Sequence, residues 1–280
     1  MTAPTCTPPE PPTAQYLAAP SVLDAMARFG HGRVAELTPA RALVLAVLGG
    51  GFITAGALFS VLASAGIEAD GPRRLVEGFA FSAGFFFVVL AEAVLFTEAN
   101  VVLPTTLLAD HRRWAQVLRF WTLAWIGNFV GAWLFGTLIA VAQSYSPDTL
   151  AALADIADRK LAYQRIGGAG SWWRVVLSGV LANWLVGMGA FFAFMGRTII
   201  GKYIPVLLAV TLFVSAGFQH SPANMGYFAL HLAHGDGPGW ATALGWNIVP
   251  AGIGNMVGAA ALVAIPFWFV HHAKPRETGS

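Results

Sequence analysis

Cysteine is nearly missing from this chain: Cys6 is the only one in 280 residues, so neither a disulfide framework nor a thiolate metal site can be built. Charge is scarce too. Asp, Glu, Lys and Arg supply 11% of the residues against 56% hydrophobic ones, and mean hydropathy is +0.64, which excludes an ordinary soluble domain. A net charge of +2 gives no reason to expect nucleic acid as a partner. Residues 1–20 are rich in Pro and Thr but have no basic stretch and no continuous apolar core, so they read as a disordered tail rather than a cleaved signal peptide. The sequence also lacks paired acids, a serine elbow and a phosphate-binding loop. That leaves no anchor for an enzyme and no reason to expect a cofactor.

What is abundant is long apolar sequence. At about 20 residues per crossing, six spans fit at 42–65, 75–108, 116–143, 172–195, 203–232 and 242–270. The expected protein is an all-α membrane domain over 41–271, with a short tail at 272–280. Before it, at 21–40, Ser21 is a plausible N-cap and Val22, Leu23, Met26 and Phe29 form an apolar stripe, predicting an amphipathic helix lying on the membrane surface.

One seven-residue pattern occurs twice, as Ile126-Gly127-Asn128-Phe129-Val130-Gly131-Ala132 and as Ile253-Gly254-Asn255-Met256-Val257-Gly258-Ala259. Two related halves of three spans each follow, and an odd number of spans forces the second half to insert upside down. Inverted repeats place their shared site near the bilayer midplane. The second and fifth stretches are longer than one crossing needs and carry polar interruptions, Phe96-Thr97-Glu98-Ala99-Asn100 and Gln219-His220-Ser221-Pro222-Ala223-Asn224. Both are predicted to be broken helices, with the breaks near Thr97 and Pro222 facing each other, because irregular backbone at membrane depth needs protein or a water-filled cavity around it.

Basic residues are distributed unevenly. Arg28, Arg33, Arg41, Arg112, Arg113, Arg119, Arg197, Lys202, Lys274 and Arg276 fall on one side of the predicted spans, which makes that side, with both termini, cytoplasmic. From Tyr203 to Leu230 there is no Asp, Glu, Lys or Arg, yet His220 and Asn224 sit in the middle. A histidine at that depth is a functional candidate, and clustering it with Gln219, Ser221 and Asn224 about a proline is more than helix packing requires.

At this point the chain resembles the formate/nitrite transporter family. The resemblance is carried by Phe81-Ser82-Ala83-Gly84, Leu95-Phe96-Thr97, Asn183-Trp184-Leu185-Val186, Gly217-Phe218-Gln219-His220-Ser221, Ala223-Asn224-Met225, and Asn247-Ile248-Val249-Pro250 through Gly254-Asn255, over about residues 20–270. It implies a homopentamer of aquaporin-like protomers in a bacterial inner membrane, each with its own pore for a small monovalent anion or its weak acid. The substrate pathway would then carry His220, Thr97, Asn183, Asn224 and Gln219. Apolar constrictions would fall on Leu95 and Phe96 towards the cytoplasm, and on Phe81, Phe213 and Phe85 towards the other side. Such rings oppose bare ions because desolvating an anion is costly, and histidine suits proton exchange because its unperturbed pKa is about 6.5.

The chain departs from the family where charge is usual. Gln219 and Val94 replace acids, and the lysine commonly preceding the fourth span aligns near Gly167, with Arg165 as a substitute anion attractor. Glu92 stands where small residues are usual. Two other readings follow: a pore for a neutral solute, or an intramembrane metal protein using His220, His231 and His234. For the second no carboxylate completes a ligand set.

Overall fold

The computed structural model describes residues 16–272 apart from Asp236. Of the disordered tail expected at 1–20, residues 1–15 lie outside the described ones, whereas 16–20 are ordered: the Leu17 N–H bonds to the Met195 carbonyl and the first helix begins at Ala19; of the tail expected at 272–280 only His272 is described. Among those described the architecture is helical, with one isolated β-bridge between Tyr16 and Gly196. The helices are α1 (Ala19–Ala35), α2 (Pro39–Ser64), α3 (Asp70–Leu90), α4 (Phe96–Ala109), α5 (Trp114–Ala142), α6 (Pro147–Lys160), α7 (Ala162–Ile166), α8 (Gly168–Met195), α9 (Ile199–Ser215), α10 (Ser221–Ala233) and α11 (Trp240–His272). Four of them, α2, α5, α8 and α11, are long and apolar enough to cross a membrane alone. The other two crossings are made in pieces, α3 with α4 and α9 with α10.

Local chemistry sets many of the ends. Thr38 and Pro39 open α2, Ser146 and Pro147 open α6, and His220 with Pro222 opens α10. In each case a side-chain acceptor takes a backbone N–H while proline occupies the first turn, where it has no hydrogen bond to lose. The two central breaks are built alike. Helix α3 ends with the Ala93 N–H bonded to the Val88 carbonyl and Glu92 at φ 48°; α9 ends with the Phe218 N–H bonded to the Phe213 carbonyl and Gly217 at φ 74°. The left-handed position is the natural C-terminal stop of a helix and favours glycine. Glu92 is the one non-glycine residue at positive φ among those described.

The repeated motif explains how the breaks are held. Asn128 of α5 donates to the Ala46 and Val94 carbonyls (2.8 and 2.9 Å) and accepts the Phe96 N–H at 2.8 Å. Asn255 of α11 donates to the Gly179 and Gln219 carbonyls (2.8 and 3.0 Å) and accepts the Ser221 N–H at 2.8 Å. Each asparagine thus pins its half's broken helix to the long helix beside it, saturating backbone groups that the break leaves open. The motif glycines allow the approach: a Cβ on Gly131 would stand 2.0 Å from the Val47 oxygen, and one on Gly258 2.1 Å from the Val180 oxygen. The two halves are inverted three-helix repeats, with α3–α4 and α9–α10 running in opposite senses.

Helix α1 differs from expectation in what covers its apolar stripe. Val22, Leu23 and Met26 are at most 1% exposed and belong to the main core cluster, because α1 packs on α4, α8 and the end of α11. The stripe closes one end of the bundle, hereafter the α1 face. The opposite end carries α6 and α7.

Candidate functional site

The two breaks bring the first turns of α4 and α10 together at the centre. His220 caps α10, its Nδ1 accepting the Ala223 N–H at 3.1 Å. A backbone N–H only donates, so Nδ1 supplies the lone pair and the neutral ring carries its proton on Nε2. That proton points to Thr97 Oγ1, 2.8 Å away. A second proton could enter the ring only at Nδ1, where it would displace the cap.

Aromatic rings stand on one side of this pair. Phe213 stacks on the imidazole with centroids 5.1 Å apart, Phe81 meets Phe213 edge-on at 6.1 Å, and Phe81 stacks on Tyr227 at 5.7 Å. Beyond them, towards α6, opens a cavity of about 280 Å³ whose lining includes Phe213, Tyr227, Gln219, Arg74, Glu77, Arg159 and Lys160. Most of its charge is matched. Arg159 pairs with Glu77 at 2.6 Å and with Asp155 at 3.1 Å, while Arg74 pairs with Asp70 at 2.8 Å. Lys160 has no ion pair among the described residues; its ammonium lies 5.1 Å from the centre of the Tyr227 ring. Burial pushes that ammonium down to about 7, with repulsion from Arg159 adding to the effect.

Behind the cavity wall three amides lock together. Gln219 Oε1 accepts from both Asn224 and Asn247, each at 2.9 Å, and Asn224 donates to Asn247 Oδ1. Asn247 also donates to the Lys160 carbonyl at 2.8 Å, tying the end of α6 that bears the lysine to the break that bears His220. A π-turn at Leu244–Ile248 swings Asn247 into this position. Asn183 donates to the Thr97 and Asn255 carbonyls (3.2 and 2.8 Å), joining the two halves at their centre. Its Oδ1 is buried without a partner among the described residues, as are Asn224 Oδ1 and both amide atoms of Asn100.

On the α1 side Leu95 closes the centre. It borders a crevice of about 10 Å³, room for one water, shared with Phe29, Arg33, Glu98 and Phe120. A wider cavity of about 640 Å³ follows, lined among others by Arg28, Arg33, Glu36, Arg41 and Glu92. Arg33 donates to the Glu92 carbonyl at 2.5 Å, gripping the left-handed residue of the break.

The structure thus gathers His220, Thr97, Asn183, Gln219, Asn224, Phe81, Phe213 and Leu95. It does not gather the rest. Phe96 lines an apolar groove of about 410 Å³ between α5 and α11 with Trp121, Trp125 and Met256, and Phe85 shares the main core cluster with Phe81, Phe213 and Leu95 but makes no ring contact with either phenylalanine. Arg165 is half exposed and paired with Asp158 at 2.8 Å; Lys160 holds the place in the cavity expected of it. His231 and His234 border a separate cavity with Leu150 and Leu153 of α6, apart from His220. The sequence reading gave no site role to Lys160, Tyr227, Asn247 or Asn100. Of these, Asn247 was within reach, since it opens a polar patch in an otherwise apolar span.

Six crossings folded as inverted repeats, with two facing helix breaks around a buried histidine and threonine, define a transmembrane pore protein of the broken-helix class. Comparison makes the assignment specific. The family model for formate/nitrite transporters matches residues 20–269, and the chain belongs to that family. Among relatives, a probable formate transporter of Methanothermobacter thermautotrophicus is 30% identical over 244 residues, covering 82% of this chain and 89% of its own. The formate channel FocA of Escherichia coli K12 is 28% identical over 256 residues, 83% of this chain and 87% of its own. Two solved structures share the fold. A pentameric formate channel with formate bound aligns with TM-score 0.69 and 22% identity over 84% of this chain and 98% of its own; an ion channel of the same family gives 0.75 and 20% over 90% and 98%.

Proposed function

We propose that this protein conducts small monovalent anions of the formate and nitrite type across the membrane as their neutral acids, one proton with each anion. The α1 face is cytoplasmic, the α6 face external, and five copies assemble with a separate pore in each. The family and the pentameric relatives support this reading.

The observation that carries the acid form is the polarity of the centre. An anion can only accept hydrogen bonds, whereas a neutral acid also has a hydrogen to give. Between Phe213 and Leu95 the described residues offer donors at His220 Nε2 and the Thr97 hydroxyl, an unsatisfied acceptor at Asn183 Oδ1, and no cation. That set suits an uncharged hydroxy-acid group and does little for a desolvated carboxylate. The charge that attracts the anion lies outside the aromatic rings, at Lys160, where water can supply the proton. His220 then acts as a hydrogen-bonding partner to the passing acid, because direct donation would first require a charged ring and a lost helix cap.

Substitution His220→Asn tests the proposal. Asparagine is a good N-cap, so the Ala223 N–H stays bonded and the oligomer is expected to survive. The donor to Thr97 and the ring against Phe213 are lost. In proteoliposomes formate and nitrite flux should fall by about 10²-fold or more, while the flux that remains should still rise on acidification, because water outside the rings supplies the proton. Flux equal to that of the unsubstituted protein from acid to neutral pH refutes the proposal. Undiminished glycerol or urea flux in both proteins would favour the neutral-solute pore instead.

A further inference from the structure

We propose that Glu98 is the proton acceptor of the α1-side mouth, taking the proton from the neutral acid as it passes Leu95. The inference deepens the acid-pore reading and rests on it. Glu98 lies in the first turn of α4, one residue after Thr97, and its side chain borders the one-water crevice that Leu95 closes. Its carboxylate has no hydrogen bond and no ion pair among the described residues. The residue is partly exposed, so water in the crevice can reach the carboxylate that the protein leaves unpaired.

Its surroundings fit proton exchange. Three charges act on it across space: Arg33 from α1, Glu92 from the break after α3, and Lys202 from α9. The α5 neighbour in the crevice is the apolar Phe120. Helix α8 carries one ionisable residue, Arg174, at its opposite end, and α11 has only His271 and His272 at its last turn. Arg33 borders both the crevice and the wide α1-side cavity, where Arg28, Arg33 and Arg41 outnumber Glu36 and Glu92.

The step balances within the site. The O–H bond of the acid breaks, an O–H bond forms on Glu98, and the acid leaves as its anion. Glu98 becomes neutral at the moment the permeant regains its charge, so two like charges never share the crevice. The anion moves towards the arginines, and Glu98 returns its proton to water in the wide cavity. By microscopic reversibility the same group protonates an anion entering from the α1 side.

The test uses the full-length protein in oriented proteoliposomes, with formate as the permeant and pH set independently on the two sides. Glu98→Gln should lower formate flux by about 10²-fold and remove its dependence on α1-side pH, while dependence on α6-side pH remains. Glu98→Asp, which keeps a carboxylate, should retain the α1-side dependence at a reduced rate. Glu98→Gln with unchanged α1-side dependence overturns the inference, and so does its loss in Glu98→Asp. If the unsubstituted protein moves neither formate nor nitrite, the acid-pore reading has failed; if it moves them and Glu98→Gln matches it in rate and pH profile, only the role of Glu98 has failed.

Discussion

The two halves hold their breaks with the same device and fill them with different residues. Asn128 and Asn255 each make one bond from and two bonds to equivalent backbone groups, yet what stands inside differs. Where the second half presents His220 between Gln219 and Ser221, the first presents Leu95 between Val94 and Phe96. Where the second stops its helix with Gly217, the first uses Glu92. The clamp is therefore architecture, and the residue at its centre is function. One half contributes an apolar plug and the other a polar hand, and the pore needs both because a plug alone passes nothing polar.

Breaking the clamp should have the largest effect. Asn128→Ala or Asn255→Ala leaves one N–H and one carbonyl of the break without partners at membrane depth, Phe96 and Val94 or Ser221 and Gln219, each costing about 1–3 kcal/mol, so about 2 kcal/mol or more in all. The purified oligomer should melt at a clearly lower temperature in both variants, by similar amounts. A large drop for one and none for the other would mean that the equivalence of the halves is geometric only.

The next comparison sharpens what the polar half does with charge. Gln219→Glu keeps an acceptor for Asn224 and Asn247 but adds a negative charge to the cavity of Lys160. Half-saturating formate or nitrite should rise by about tenfold, equivalent to about 1.4 kcal/mol, in concentration-dependent flux. The Lys160 ammonium, held down to about 7, is charged below that pH and neutral above it. Anion capture from the α6 side should therefore weaken as that side is raised through neutral pH, and Lys160→Gln should flatten the profile. On stability the sign is opposite: between about 7 and about 10.4 the unfolded chain binds more protons at this lysine than the folded one, so its contribution rises with pH.

The smallest effect concerns the two helix stops. Gly217→Ala meets no close atom, since the nearest is Arg74 Nη1 at 3.5 Å, so only the left-handed backbone opposes it. A cost of about 1 kcal/mol is expected. Glu92→Gly should stabilise by a similar amount, unless loss of the side chain frees the Arg33 grip on the Glu92 carbonyl. Melting curves of the two variants read the difference directly.

Much of this was legible in the sequence. The spans, the repeat, the facing breaks and the histidine were open to view because hydrophobic runs and polar interruptions are linear features. Phe96 and Phe85 were expected at the constrictions, yet Phe96 lines the groove between α5 and α11 and Phe85 lacks ring contact with Phe81 and Phe213, since a residue's neighbours in sequence do not say which way its side chain faces. Lys160 was missed for a different reason. It ends an amphipathic helix outside the spans, and only the fold brings that helix over Tyr227. Glu92 stayed ambiguous because its importance lies in its backbone, which side-chain chemistry does not reveal.

The π-turn at Leu244–Ile248 has a consequence for how this site could be lost. A π-turn holds one residue more than an α-turn, so it behaves as an insertion absorbed inside a helix. Deleting a single residue there would return the segment to α-helix and rotate everything before it by about 100°. Asn247 would leave Gln219, Asn224 and the Lys160 carbonyl together, with no polar residue substituted. Across descendants of this chain, change in length at this turn is therefore a sharper sign of altered permeation than change in composition.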